Sequence, residues 1–370
     1  MTDDTLRMLR DSAADFATFD ASRVRRLRGT DPGFERMVWQ QMAEMGWLGA
    51  LIPEELGGLG LGAGAMTIIA EQLGHALYPE PYSASAVAAT LALLHGDNAA
   101  LKQDLLPRLA AGEIIASLAW QNERGGLSLD QCAANLSEQG GKSVLQGASR
   151  FVAAPGADAF IVAARSARGL ELYWIERDAP GLSRASELRA DGSASAHLQF
   201  AAVAAPVRAR IASAAAANAA LAVALDHALL ATSAELLGLM NCALEMTLDY
   251  LRTRVQFGKP IGSFQALQHR AVDMYIQREL TRATLTAAVA VLDEPGCTPA
   301  RRAAAASSAK ARASQAALAI CKEALQMHGA IGYTDEYDLG LYFNRALVLC
   351  AALGNAGAHR SRYASLTPLP

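Results

Sequence analysis

Basic residues do not outnumber acidic ones in this chain of 370 residues: 33 Lys and Arg stand against 36 Asp and Glu, a formal net charge of −3. A nucleic acid or an anionic membrane surface would call for a basic excess, so neither is an expected partner. Cysteines are few, at Cys132, Cys242, Cys297, Cys321 and Cys350. None forms a CxxC pair and the count is odd, which argues against a zinc site or a disulfide framework; buried free thiols and no metal are expected. No run of about 18 apolar residues is free of charges, so no membrane span is expected. The opening MTDDTLRMLRDSAADF is charged throughout and lacks a signal-peptide core, which points to the cytoplasm. With 52% hydrophobic and only 19% charged residues, disorder is excluded for most of the length.

Much of the apolar content is alanine, the best helix former and a residue small enough to let helices approach closely. Three zones differ in texture. Residues 1–112 read as helices, with Trp39, Met42, Met45 and Trp47 near helical spacing. Residues 113–210 change to short apolar runs (Ile114 to Trp120, Phe160 to Ala164, Leu170 to Ile175) separated by Gly, Asp and Ser turns such as Gly140–Gly141, the pattern of strands in a compact sheet or barrel. Residues 211–370 return to helices: Ala214 to Thr253, Phe264 to Leu292, and Arg301 to His328 after the break DEPGCTP. Helices, then strands, then helices argue for an α+β chain and against alternating βαβ units.

Gly60, Gly62 and Ala65 loosely fit a dinucleotide-binding fingerprint. That fingerprint needs a strand before it and a βαβ frame around it; here the glycines lie between helices and read as a tight interhelical loop. The stretch YLRTRVQFGKPIGSFQALQHRAVDM, Tyr250 to Met274, is more informative. A helix ends in Arg252 and Arg254, turns through Gly258 to Gly262, and restarts with glutamines and a histidine. Arginine suits bidentate phosphate contact and Phe257 offers a flat apolar face, although residue types alone favour a solvated helix end with cations on its macrodipole.

The wording of that stretch is similar to the acyl-CoA dehydrogenase signature R-x-Q-F-G-x-P-I-x-x-F-Q followed by Q-H-x-x-A-D-M, with Val272 where Ala is usual. ALQMHGAIGYTDEYDLGLYFNRA, Ala324 to Ala346, resembles the family's Q-x-x-G-G-x-G-Y-x-x-E segment, with Ala330 for the second glycine. IPEELGGLGLG and residues 145–165 add weaker matches, so the resemblance runs the whole chain in order. It implies the acyl-CoA dehydrogenase fold: an N-terminal helical domain, a middle β-barrel and a C-terminal four-helix bundle, with FAD between barrel and bundle and completed by a neighbouring subunit. By motif match, Arg254, Phe257 and Gln265 contact FAD across a subunit interface, and Gln326, with the backbone at Gly329 and Gly332, faces the pyrophosphate from the other subunit. It further implies an acyl-CoA substrate, α,β-desaturation, and electrons passed to an electron-transfer flavoprotein.

The family's reaction removes a weakly acidic proton α to a thioester, which requires a carboxylate base. In the usual Y-E-G tripeptide, aligned from Arg345, the base position falls at Gly354, and no Asp or Glu lies between Ala346 and Arg360. Some members place a Glu on the helix before Q-F-G instead; that position falls near Ala228, with Glu235 about two turns beyond as the candidate base and a structural carboxylate as its other reading. His269 and His328 read as packing or cofactor-adjacent residues. The flavin-covering loop T-E-P-x-A-G-S-D stands here as QNERGGLSLD, Gln121 to Asp130, and W-I-T as Phe151 to Ala153. These losses resemble the small subunits of pimeloyl-CoA dehydrogenase and related two-subunit enzymes, whose implied substrates are thioesters of dicarboxylic, branched or ring-derived acids. Either a homo-oligomer or a heteromer with a larger subunit is expected. Two alternatives remain open: a flavin monooxygenase or oxidase on the same scaffold, or a non-catalytic subunit.

Overall fold

The computed structural model describes residues 3–129, 132, 134–140 and 142–367; Asp130 and Gly141, at the ends of two loops named above, lie outside them. Six helices open the chain: α1 (Asp3–Phe16), α2 (Ala21–Leu27), α3 (Arg36–Glu44), α4 (Gly62–His75), α5 (Thr90–Leu94) and α6 (Ala99–Ala110). A π-helical segment, Tyr82–Ala89, leads into α5. Eight strands follow: β1 (Ala116–Ala119), β2 (Ala134–Gln139), β3 (Lys142–Ala153), β4 (Ala159–Ser166), β5 (Gly169–Glu176), β6 (Leu182–Leu188), β7 (Ala194–Ala204) and β8 (Arg210–Ala212). The long helix α7 (Ala217–Thr253), a hairpin of β9 (Val255–Gln256) and β10 (Lys259–Pro260), and helices α8 (Gln265–Leu292), α9 (Pro299–His328), α10 (Leu339–Ala351) and α11 (Ala356–Leu366) complete it. The glycine-rich loop before α4 joins helical segments, as its surroundings in the sequence require, and carries no βαβ frame.

Helix boundaries follow their caps. Asn98, Thr298 and Asn355 each accept a backbone N–H from the first turn of α6, α9 and α11, and Pro299 fills the first position of α9, where its missing N–H is harmless. DEPGCTP breaks α8 from α9: Pro295 lacks the N–H that the ladder needs, and Gly296, with φ +76°, leaves the helical conformation.

Two compact units emerge from the contacts. One comprises Arg26–Met66 and Pro79–Ala228. Its heart is the mixed sheet, ordered β6-β7-β3-β2-β4-β5-β8, with β1 pairing in parallel along the first half of β4. The ladder ends at β6 and β8. Strands β4 and β5 are almost wholly buried, which explains their unalternating apolar sequences AFIVAA and LELYWI. The buried carboxylate of β5, Glu171, is satisfied by Ser166, Tyr173, Arg168 and Arg210, and these donors hold it below the usual carboxylate range against the desolvation that raises it.

The other unit comprises Met1–Arg25, Thr67–Tyr78 and Leu229–Pro370. Within it α9 packs against α8, α10 and α11. Helices α4 and α7 cross where both are glycine: a Cβ on Gly74 would sit 2.2 Å from the Glu235 carbonyl oxygen, and one on Gly238 would sit 2.0 Å from that of Glu71. Such approach is open only to residues without a side chain. By length and composition α7 and the stretch Leu339–Leu366 could cross a membrane, but the apolar window of α7 is 83% buried inside the protein and the second stretch is broken at the α10–α11 turn. The five cysteines are free thiols, with Cys132, Cys321 and Cys350 buried.

Candidate active site

The hairpin after α7 is shaped by two consecutive residues with positive φ, Phe257 at 53° and Gly258 at 78°. A two-residue β-turn with both centres left-handed matches the twist of its strands, but an aromatic residue seldom adopts that conformation. The turn thrusts Phe257 outward: it is 91% exposed, touching only Phe264 edge-on at 6.1 Å among aromatic rings. Ile261 N–H donates to the Arg254 carbonyl at 2.8 Å and closes the hairpin. Arg254 and Gln265 are exposed beside it. Whereas Arg252 pairs with Asp249 at 2.8 Å, the Arg254 guanidinium has no carboxylate partner among the described residues.

The second motif ends at the same end of this helical unit. The Tyr250 ring, one turn before Arg254, stacks on His328 at the end of α9 with 4.4 Å between centroids. His328 is buried; its Nδ1 faces the Ala324 carbonyl at 2.7 Å, its Nε2 the Tyr337 hydroxyl at 3.1 Å, and desolvation lowers its pKa. It is a packing residue. The chain turns over it through Gly329 to Tyr333. Gly332 lies where a Cβ would press on the His328 Cβ at 3.0 Å, whereas nothing lies within 4 Å of a Cβ position at Gly329, whose φ is +64°. Gln326 and Gly329 are exposed. The Tyr250–His328 stack thus sets the end of α7, which leads to Arg254, against the end of α9, which carries Gln326 and leads to Gly329.

The base positions are occupied differently. Gly354, in the turn between α10 and α11, has φ 95°, and its carbonyl accepts from the Lys310 ammonium at 3.1 Å. Lys310 is fully buried on α9 and also donates to Ser314 Oγ at 3.0 Å and to the Cys350 carbonyl at 3.3 Å, one of the orphan carbonyls ending α10. Burial pulls its pKa down from 10.5 to about 8. His359 closes the same turn from α11, its Nε2 at 2.8 Å from the Leu353 carbonyl, and burial lowers its pKa to about 4. Glu235 is buried and takes two donors from Arg345, Nε at 3.0 Å and an Nη at 2.6 Å, both on Oε1. That carboxylate is committed to an ion pair. Asp226 is buried on α7.

In the sheet-bearing unit, the loop from Gln121 to Leu129 is organised by this chain's own residues. Gln121 Nε2 donates to the Gly125 and Gly126 carbonyls at 3.1 and 3.3 Å, Asn122 accepts from Arg124 N–H at 2.9 Å, and the Arg150 N–H donates to the Gln121 carbonyl at 2.9 Å. Phe151, half-exposed with φ 56°, packs against Gly125. Arg150 pairs with Glu187 and lies over the Phe151 ring at 5.6 Å.

Lys310 escaped the sequence reading altogether, because AAASSAKARAS looks like a solvated helix face. Arg345 served there only as an alignment mark, and nothing in its motif, YFNRA, names the carboxylate it pairs with.

Comparison with known proteins gives this arrangement its context. Residues 3–113 match the acyl-CoA dehydrogenase N-terminal domain and residues 217–365 the acyl-CoA dehydrogenase C-terminal domain. Acyl-CoA dehydrogenase IpdE2 of Mycobacterium tuberculosis is 31% identical over 347 residues, 92% of this chain and 90% of that protein. The ChsE4-ChsE5 complex of Mycobacterium tuberculosis contains a chain that superposes with a TM-score of 0.89 at 27% identity, covering 100% of this chain and 99% of that one. A variant of the Tcur3481-Tcur3483 steroid ACAD superposes with a TM-score of 0.87 at 29% identity, covering 98% and 97%. The chain therefore belongs to the acyl-CoA dehydrogenase family, oxidoreductases that act on the CH–CH bond of acyl-CoA thioesters and bind FAD.

Proposed function

We propose that this chain is one subunit of an FAD-dependent acyl-CoA dehydrogenase, in which a larger partner subunit supplies the carboxylate that removes the α-proton. The observation that carries the reading is the α10–α11 turn. Where the usual base would stand there is Gly354, pinned through its carbonyl by Lys310, and the nearest alternative, Glu235, is held by Arg345.

The residues present fit the cofactor. Arg254 offers a pyrophosphate a guanidinium with no carboxylate partner among the described residues, Gly329 leaves backbone open to a close anion, and the Phe257 ring stands free to lie on an adenine. Gln265 and Gln326 are exposed beside them as amide donors. When bound, FAD supplies the acceptor for the hydride leaving the β-carbon. The exposure of Arg254 and Phe257 suits groups that reach a cofactor held mainly by a second subunit. The two-chain ChsE4-ChsE5 relative supports the heteromeric assembly, and the steroid relative supports a ring-derived acyl-CoA among the substrates implied by the sequence. An electron-transfer flavoprotein is the proposed acceptor and the cytoplasm the proposed compartment.

The test is anaerobic titration of the purified chain with a panel of acyl-CoA thioesters, alone and after co-expression with a larger homologue. FAD retained but unbleached alone, and bleached in the heteromer, is the expected result. Bleaching by the chain alone would overturn partner dependence; oxygen consumption without enoyl-CoA would favour an oxidase. Arg254→Ala should weaken FAD retention at least about tenfold, the worth of one charge-assisted contact, with the far-UV circular dichroism unchanged.

A further inference from the structure

The α10–α11 turn is held in a shape that its own residues disfavour. Leu353 has φ 54° and Gly354 φ 95°, two left-handed residues in succession, and only the second is a glycine. Three carbonyls around them are taken by two side chains from different helices. The Lys310 ammonium on α9 donates to the Cys350 and Gly354 carbonyls and to Ser314 Oγ, so all three of its protons are placed. His359 on α11 donates from Nε2 to the Leu353 carbonyl at 2.8 Å, and its Nδ1 lies 3.4 Å from Ser307 Oγ. Ser307 Oγ accepts from Arg362 at 3.0 Å, which leaves its own proton for Nδ1 and keeps the imidazole N–H on Nε2. Lys310 and His359 are both fully buried.

Joining two helices needs none of this, since a short exposed turn of glycine and polar residues suffices. A left-handed leucine, a buried ammonium and a buried imidazole on one turn mean that its shape is over-determined, and strain kept in this way gathers at functional positions. The same turn carries the position of the family's usual base, Gly354, and has no acid of its own. We infer that Lys310 and His359 are positioning residues for the acyl-CoA reaction, a two-sided clamp that fixes the α10–α11 turn where it borders the reacting carbon. Being buried, neither touches substrate; each acts through the backbone that it holds. Without an acid the turn serves by its shape, because a displaced turn would obstruct a base arriving from another chain. That last step rests on the proposed two-subunit reading, whereas the clamp is read from this chain alone.

The experiment takes two readouts on the full chain co-expressed with a larger homologue. One is hydrogen exchange across residues 350–358; the other is the rate of anaerobic flavin bleaching at saturating acyl-CoA, per FAD bound. Lys310→Met keeps the length of the side chain and removes its donors. It should speed exchange in the turn, where the Gly354 N–H donates to the Ala351 carbonyl at 3.2 Å and the Ala358 N–H to Asn355 Oδ1 at 3.0 Å. Bleaching should slow at least about tenfold with half-saturation little changed, the kind of loss that follows a small misplacement of the site. His359→Leu should act alike, and His359→Gln, which keeps an N–H near the place of Nε2, should recover most of both losses. Far-UV circular dichroism should match the wild type throughout. Unchanged exchange in Lys310→Met and His359→Leu would overturn the clamp. Faster exchange with an unchanged saturating rate would overturn the positioning role and leave a purely structural one. No recovery in His359→Gln would show that ring packing, not the hydrogen bond, holds the turn, and would overturn the part given to His359. A wild-type heteromer that never bleaches would sink the two-subunit reading and the positioning role with it, while exchange would still decide whether the clamp exists.

Discussion

Lys310 offers the sharpest quantitative test, through the dependence of stability on pH. Its folded pKa of about 8 lies below the 10.5 of an unfolded chain, so between these values the unfolded state binds the extra proton. Stability therefore rises with pH across that window, and the penalty for a buried ammonium is largest below pH 8. Integrating proton binding from about pH 7 to about pH 9.5 gives a gain of about 2 kcal/mol from this residue alone. Other cysteines, tyrosines and lysines titrate nearby, so the comparison must be with Lys310→Met, which keeps the length of the side chain and removes the proton. The variant also strands the Ser314, Cys350 and Gly354 acceptors, an offset that does not vary with pH. Urea denaturation followed by circular dichroism, at one protein concentration because association adds to apparent stability, should show the wild type gaining on Lys310→Met by about 2 kcal/mol over that range. Parallel pH profiles would refute the reasoning, since they would mean that Lys310 titrates alike in both states.

Glu235→Gln should destabilise the protein by about 2 kcal/mol, because it removes the charge on the carboxylate that takes two donors from the half-buried Arg345, whereas a Glu235→Met/Arg345→Met pair should recover most of the loss. Thermal melts check this, and bleaching of the heteromer by acyl-CoA should persist in Glu235→Gln if the residue is structural. Gly238→Ala places a methyl 2.0 Å from the Glu71 carbonyl oxygen, so α4 must lift away from α7, costing about 3 kcal/mol by denaturant titration. Were it tolerated without loss, the tight crossing would be wrong.

The architecture could be read from local texture because each zone declared its own period. Alanine-rich stretches became α7 to α9, and the short runs Phe160–Ala164 and Leu170–Ile175 became the buried centre of the sheet, β4 and β5. The two motifs were legible as wording, and their turn residues, Phe257, Gly258 and Gly329, sit where backbone conformation dictates sequence. The fate of single charges was hidden. Whether Glu235 is a base or half of an ion pair depends on Arg345, which is 110 residues away. Whether Lys310 faces water depends on where the α10–α11 turn comes down, and nothing near AKARAS specifies that.

The pinned turn at Gly354 has a meaning for descent. Glycine and glutamate are one nucleotide apart in half of the glycine codons, so the acid could reappear at this position by a single mutation. With φ at 95° and the carbonyl anchored by a buried lysine, that mutation would install a side chain on a backbone conformation that resists one. Recovery would need the turn to be rebuilt first, and no intermediate on that route is favoured. Under the proposed two-subunit reading the geometry acts as a ratchet, making a base supplied by another chain hard to take back.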